Sequence, residues 1–179
     1  MKTIRPLYEK YGAEGYYREH AADYSNPHFP EIESLVRQNF SRFDCSGGVL
    51  DFACGGGEAT QALLQLGAVS VRGCDPFTFD LYERQTGCPC LRLSFKDVIR
   101  GADLGRYSLI ISSFALHLCP EKDLFPLTWN LFQAAPVLVI ITPHKRPTLE
   151  KLPGIELTWE SAAVTARGKK VKLKTYRRG

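Results

Sequence analysis

The chain has 179 residues, of which 44% are hydrophobic and 23% charged, and its net charge is +4. That composition is ordinary for a single globular domain with a real core. No apolar run reaches the ~18–20 residues that a membrane-spanning helix needs, and Met1 to Pro6 lack the apolar core of a signal peptide, so a soluble, cytoplasmic (or nuclear) protein is expected.

The first 47 residues precede any strand signal. Tyr8, Tyr11, Tyr16, Tyr17 and Tyr24 crowd there, and Glu14 to Tyr24 reads as a helix with an aromatic face. Asn26-Pro27-His28-Phe29-Pro30 should break it. A second helix is expected over 31–40, because Ile32, Leu35, Val36 and Phe40 recur at helical spacing.

Strands are expected near 48–53, 69–74, 90–93, 108–113, 136–142, 155–161 and 170–176, with helices near 58–66, 78–86 and 121–134. The alternation implies a doubly wound, mostly parallel sheet of seven strands. Val49-Leu50-Asp51-Phe52 runs into Ala53-Cys54-Gly55-Gly56-Gly57, a turn in which backbone can approach a ligand. The spacing suits a nucleotide-like ligand on the first strand–helix turn. Asp75 ends the second strand, 18 residues after Gly57. An acid there accepts from ribose hydroxyls in such folds, or else caps a turn with Pro76. The fourth strand leaves into Ser112-Ser113-Phe114-Ala115-Leu116-His117. His117 lies at the carboxyl edge where ligands bind, and His144, with Lys145 and Arg146, follows the fifth strand. Either histidine is a candidate base, and the three neighbours could instead hold an anion.

The last two strands form a hairpin around Ala166-Arg167-Gly168-Lys169. About a dozen residues separate the fifth and sixth strands, too few for a full crossover helix, so the fold is trimmed in its C-terminal half. Residues 143–179 hold 10 basic and 3 acidic side chains, against 13 basic and 16 acidic in 1–142. The basic stripe from Arg167 to Arg178 either tracks phosphates or is a solvated edge strand guarded by lysines. Six cysteines are scattered, which suits reduced thiols. Cys88-Pro89-Cys90 lacks the further ligands a zinc site needs, so no metal is expected.

The three segments 49–58, 69–75 and 107–117, in this order and spacing, resemble the class I S-adenosylmethionine-dependent methyltransferases over about residues 45–143. The resemblance implies a Rossmann-like fold with an antiparallel last strand, and S-adenosylmethionine as cofactor. It places Asp51 near the methionine end, and Ala53, Gly55 and Gly57 along the cofactor, Ala53 standing where the family has glycine. It gives the ribose to Asp75, with Pro76 and Phe77 flanking the adenine. Ser94 and Phe95 take the adenine-side position, where relatives often have Asp-Ala; Asp97 is the alternative contact. Ser113 and Phe114 border the sulfonium. Residues 1–47 match a lid over cofactor and substrate, with Tyr16, Tyr17, Tyr24 and His28 as substrate contacts beside Lys145 and Arg146, and residues 48–179 match the core of the same single domain.

Methyl transfer from a sulfonium needs alignment and exclusion of water more than catalytic side chains. The sequence therefore points to the donor better than the acceptor, a small molecule or an RNA nucleotide. Ser112-Ser113-Phe114-Ala115 is not the Asn/Asp-Pro-Pro-aromatic segment of amino-group enzymes, and Cys119-Pro120 reverses the order of cytosine-C5 enzymes. Two other readings stand beside this one: a non-catalytic cofactor-binding module serving a protein or RNA partner, and an NAD-dependent oxidoreductase. The latter lacks a Tyr-x-x-x-Lys pair after the fourth strand.

Overall fold

A computed structural model describes Gly15 and residues 26–143 and 145–179. The expected helix over 14–24, with Tyr16, Tyr17 and Tyr24, lies outside the described residues, as does His144.

The sheet has seven strands in the order β3-β2-β1-β4-β5-β7-β6. They are β1 (Val49–Phe52), β2 (Val71–Cys74), β3 (Cys90–Leu91), β4 (Leu109–Ser113), β5 (Val137–Thr142), β6 (Ile155–Val164) and β7 (Lys170–Arg178). The first five pair in parallel, and β7 inserts antiparallel between β5 and β6. The expected Rossmann-like architecture is the one observed.

β1, β4 and β5 are buried along their whole length, as strands covered on both faces must be. Their side chains alternate between two cores. Leu50, Phe52, Ile110, Leu138 and Ile140 pack with Leu127 and Leu131 of α5 (Glu121–Ala134) and Val98 of α4 (Phe95–Ile99). Val49, Leu109, Ile111, Val139 and Ile141 pack with Ile32, Leu35 and Val36 of α1 (Phe29–Asn39) and Ala59, Ala62 and Leu63 of α2 (Glu58–Gln65). α3 (Phe79–Thr86) lies on the α2 side, where the Tyr82 hydroxyl sits 2.9 Å from that of Thr60.

Three local expectations are corrected. α1 starts at Phe29, not after Pro30, because a proline in the first helical turn lacks only an N–H that would have no helical partner. This part of the N-terminal segment is a packed helix, with Ile32, Leu35 and Val36 fully buried. The third strand ends at Leu91, and α4 follows. Ser94 caps that helix, accepting from the Asp97 amide while Asp97 accepts from the Ser94 amide. Such a reciprocal cap is a Ser-x-x-acid signal that the sequence carries openly. The hairpin strands run longer than expected, to Val164 and Arg178, and turn where Gly168 takes φ 73°. Among the described residues one 3-10 turn, Leu149–Lys151, stands between β5 and β6, which agrees with the trimmed C-terminal half.

β6 is an edge strand, exposed along most of its length. Part of the basic stripe is neutralised beside it. Lys172 pairs with Glu160 at 2.7 Å, and the buried Lys174 pairs with Glu150 at 3.0 Å. Burial works against ionisation of Glu150, but its own amide, the Tyr176 hydroxyl and Lys174 together hold its carboxyl below the usual range. No described helix is long and apolar enough to cross a membrane.

Candidate functional site

A cleft of about 310 Å³ opens at the carboxyl ends of the parallel strands. Each wall comes from a different strand end. The turn after β1 supplies Ala53 and Gly55, and the turn after β2 supplies Asp75, Pro76 and Phe77. Ser94 and Phe95 follow β3, while Ser113 and Phe114 end β4. These nine residues span more than sixty positions of sequence and meet only because the strands are parallel and in register.

Backbone geometry makes the floor. Ala53 takes φ 55° and Gly55 φ 56°. Ala53 holds that left-handed conformation at a cost glycine would not bear. Its N–H is tied to the Cys74 carbonyl at 2.7 Å, which fastens the turn to β2.

Asp75 is 9% exposed, and its two oxygens do different work. Oδ1 accepts from the amides of Phe77 at 2.8 Å and Thr78 at 2.9 Å, capping the turn into α3. Oδ2 has only a 3.4 Å contact with the Gly55 N–H, which leaves it room for a stronger donor in the cleft. The turn-capping and ligand-holding expectations for Asp75 are thus compatible in one side chain.

Asp51 is not on the cleft wall. Its position in β1 alternates with Leu50 and Phe52, so it points beneath α2 and is fully buried. Oδ2 accepts from the Thr60 hydroxyl at 2.7 Å and its amide at 3.2 Å. Among the described residues Oδ1 has no hydrogen-bond partner. Burial, opposed by the Thr60 hydroxyl and reinforced by Glu58, pushes the Asp51 carboxyl up to about 8.

Gly57 is also off the cleft wall. A Cβ there would lie 2.5 Å from Thr86 Cγ2 and 3.0 Å from Tyr82, and the residue has φ 87°. This glycine serves the close approach of α3 to the first turn. Asp97 gives its carboxylate to the cap with Ser94 at 2.6 Å and does not line the cleft. Bonding by the Ser94 hydroxyl and amide holds that carboxyl below the usual range.

His117 sits half-buried on the 3-10 turn Leu116–Leu118, and it is not among the residues that line the cleft, although Ala115, Leu118 and Cys119 are. Lys145 and Arg146 are exposed and do not reach the wall. His28 is not on the wall either, but its ring stacks on the wall residue Phe114, with centroids 4.8 Å apart and planes 13° from parallel. Lys96, Ile99, Pro120 and Asp123 complete the cleft. Nothing in the local sequence pointed to these four, because they come from α4 and the start of α5. Burial pushes the Cys54 and Cys74 thiols far up and that of Cys119 up to about 11. Thiols so placed stay protonated at neutral pH and are poor nucleophiles. Among the described residues no cluster could hold a metal ion.

Comparison with known proteins sets this geometry in context. No family model matches the sequence. An uncharacterized protein of Schizosaccharomyces pombe is 31% identical over 183 residues, covering 78% of this chain and 74% of its own. The chain belongs to the family of that fission-yeast protein. Its fold is that of the class I methyltransferases. The magnesium protoporphyrin IX methyltransferase of Synechocystis PCC 6803, with bound S-adenosylhomocysteine, superposes with a TM-score of 0.70 at 15% identity, covering 98% of this chain and 99% of its own. The N-methyltransferase NodS of Bradyrhizobium japonicum, also with S-adenosylhomocysteine, gives 0.65 at 12% identity over 91% of this chain and 96% of its own. The enzyme that converts a disulfide into a thioacetal in echinomycin biosynthesis gives 0.69 at 17% identity, covering 92% of both chains. Within this fold the cleft occupies the carboxyl edge of the sheet, where open α/β sheets bind ligands.

Proposed function

We propose that this protein is an S-adenosylmethionine-dependent methyltransferase that acts on a small molecule or an RNA nucleotide. One observation carries the reading. Asp75 presents a nearly unengaged carboxylate oxygen into a cleft whose floor is the strained Ala53–Gly55 turn. A ribose diol is the ligand group that such an oxygen selects. The neighbours that hold S-adenosylmethionine or S-adenosylhomocysteine support it.

The residues fit the cofactor. The volume of about 310 Å³ falls at the lower end of small-molecule sites, roughly 300–1,000 Å³. Asp75 would take the ribose, with Pro76, Phe77, Ser94 and Phe95 around the adenine. Ser113 and Phe114 would border the sulfonium. Asp51, buried beneath α2 and off the cleft wall, would act on the first turn through Thr60 rather than touch the cofactor. When bound, the cofactor supplies a methyl group already activated by positive sulfur. The protein's part is to align the acceptor and keep water out, which the apolar Phe52, Phe95, Phe114 and Leu118 walls do.

Calorimetry with S-adenosylmethionine, S-adenosylhomocysteine and NAD tests the donor, and the first two should bind while NAD does not. A tritium-methyl transfer assay on cell extract split into RNA, protein and metabolites tests the acceptor. Label in the RNA or metabolite fraction is expected. Binding without transfer to any fraction would instead favour a non-catalytic module.

A further inference from the structure

The histidine that the geometry equips for proton transfer is His28, not one that follows a core strand. Two contacts flank its imidazole and a third fixes its backbone. One ring face lies on Phe114 at 4.8 Å, and Phe114 itself lines the cleft. Nδ1 faces the Glu31 carboxylate, Oε2 being 3.5 Å away, and the Glu31 side chain is only 15% exposed. The His28 backbone N–H donates to Asn26 Oδ1 at 2.9 Å, and the Asn26 N–H donates to Glu58 Oε1 at 3.0 Å. Glu58 opens α2, directly after the glycine turn. The start of α1 is thereby pinned to the same turn that floors the cleft.

Such fixing goes beyond what a helix start needs. The His28 side chain makes no cap bond to its own helix. Among the described residues no hydrogen bond engages Nε2, and the side chain is 35% exposed. An imidazole with one nitrogen facing a carboxylate oxygen that has no hydrogen-bond partner among the described residues, and the other nitrogen open, is placed as a general base is. Phe114 adds a second sign. It takes φ 56°, a conformation unfavourable for an aromatic residue, while it both stacks on His28 and lines the cleft.

We infer that His28, facing Glu31 and seated on Phe114, accepts the proton of the methyl acceptor, so the acceptor is a heteroatom that carries a proton (O–H or N–H). This rests on the methyltransferase reading above. The acceptor heteroatom bonds to the methyl carbon as the carbon–sulfur bond breaks, with that electron pair going to sulfur. The acceptor's proton passes to Nε2, and Glu31 compensates the imidazolium. The charged groups facing the ring are Glu31 from α1 and, through Asn26, Glu58 from α2.

The decisive measurement needs no acceptor. The His28 ring-proton NMR signals are compared at one pH in the protein saturated with S-adenosylhomocysteine and with S-adenosylmethionine. The two ligands differ by a methyl group and a positive charge at sulfur. A ring close to that end of the cleft should give distinct signals with the two ligands. Identical signals with both ligands bound would overturn the inference while leaving the cofactor site standing. Failure of both to bind by calorimetry would overturn the methyltransferase reading, and the inference with it. His28→Phe is the companion variant, since it keeps a ring on Phe114 and removes the proton acceptor. It should retain S-adenosylhomocysteine affinity and lose roughly 10²–10⁴-fold in labelled methyl incorporation into the fraction that wild-type protein labels. Incorporation within twofold of wild type would overturn the role.

Discussion

The two ends of the cleft are built by different means. The sugar end, around Gly55, Asp75, Pro76 and Phe77, is made of tight turns that follow strands directly. Its key contacts join a carboxylate to backbone amides two or three residues away, plus one reach across to Gly55. The other end depends on a ring contact between His28 and Phe114, residues on α1's cap and β4's exit. Local turn chemistry makes the first end nearly self-sufficient. The second exists only after α1 has docked on the sheet, so it can be altered without disturbing the sugar end.

The largest effect expected lies beneath the sugar end. Asp51 has a folded-state value raised to about 8, mainly by burial. Below about pH 4 both folded and unfolded states hold its proton. Between there and 8 the unfolded state releases the proton and the native state keeps it, so stability falls as pH rises. Above 8 the loss levels off. Denaturant midpoints at pH 5 and pH 8 should show that fall in the ligand-free protein, and Asp51→Asn should abolish most of it. An equal fall in both proteins would remove Asp51 as the cause.

Next in size is Gly57→Ala. A Cβ 2.5 Å from Thr86 Cγ2, at φ 87°, combines overpacking with left-handed strain. The expected cost is roughly 2–4 kcal/mol in urea unfolding. A cost below about 1 kcal/mol would mean that α3 yields readily, and that the sugar end is less rigid than its contacts imply.

Asp75→Ala sharpens the contrast between the ends. It should weaken S-adenosylmethionine binding by roughly 1–3 kcal/mol in calorimetry and leave the His28–Phe114 stack in place. Unchanged affinity would leave Asp75 only its turn-capping role.

The basic strand offers a smaller test. With Lys172 and Lys174 paired to Glu160 and Glu150, a stripe that tracks phosphates would bind RNA with an affinity that responds to Arg167→Ala, Lys169→Ala and Lys170→Ala, each lowering the salt slope by about 1. Lys174→Ala should act on stability instead, since it strips the buried cationic partner from Glu150. A slope that none of the three changes would leave the strand as a charged edge.

Ala53→Gly should have the smallest effect. Relief of the positive φ, about 1–2 kcal/mol, is offset by the extra backbone entropy of glycine, about 0.5–1 kcal/mol. A net gain of about 0.5 kcal/mol in urea unfolding is expected, with cofactor affinity unchanged.

Much of this protein was legible along the chain. Continuous apolar runs marked β1, β4 and β5, and the turn residues after them marked the sugar end, because a parallel sheet delivers every strand's carboxyl end to one edge. The sequence alone therefore determined the fold class, the mostly parallel sheet and most of the cleft wall, while the order of the strands came from the structure. Tertiary structure decided the rest. Strand alternation sent Asp51 under α2 rather than into the cleft, and close contact with α3 took Gly57 away from it. Ser94 drew Asp97 into a helix cap. Only the docking of α1 brought His28 onto Phe114, 86 positions away. A contact of that kind has no periodicity or spacing to read, since it is set by how two finished elements meet on the sheet.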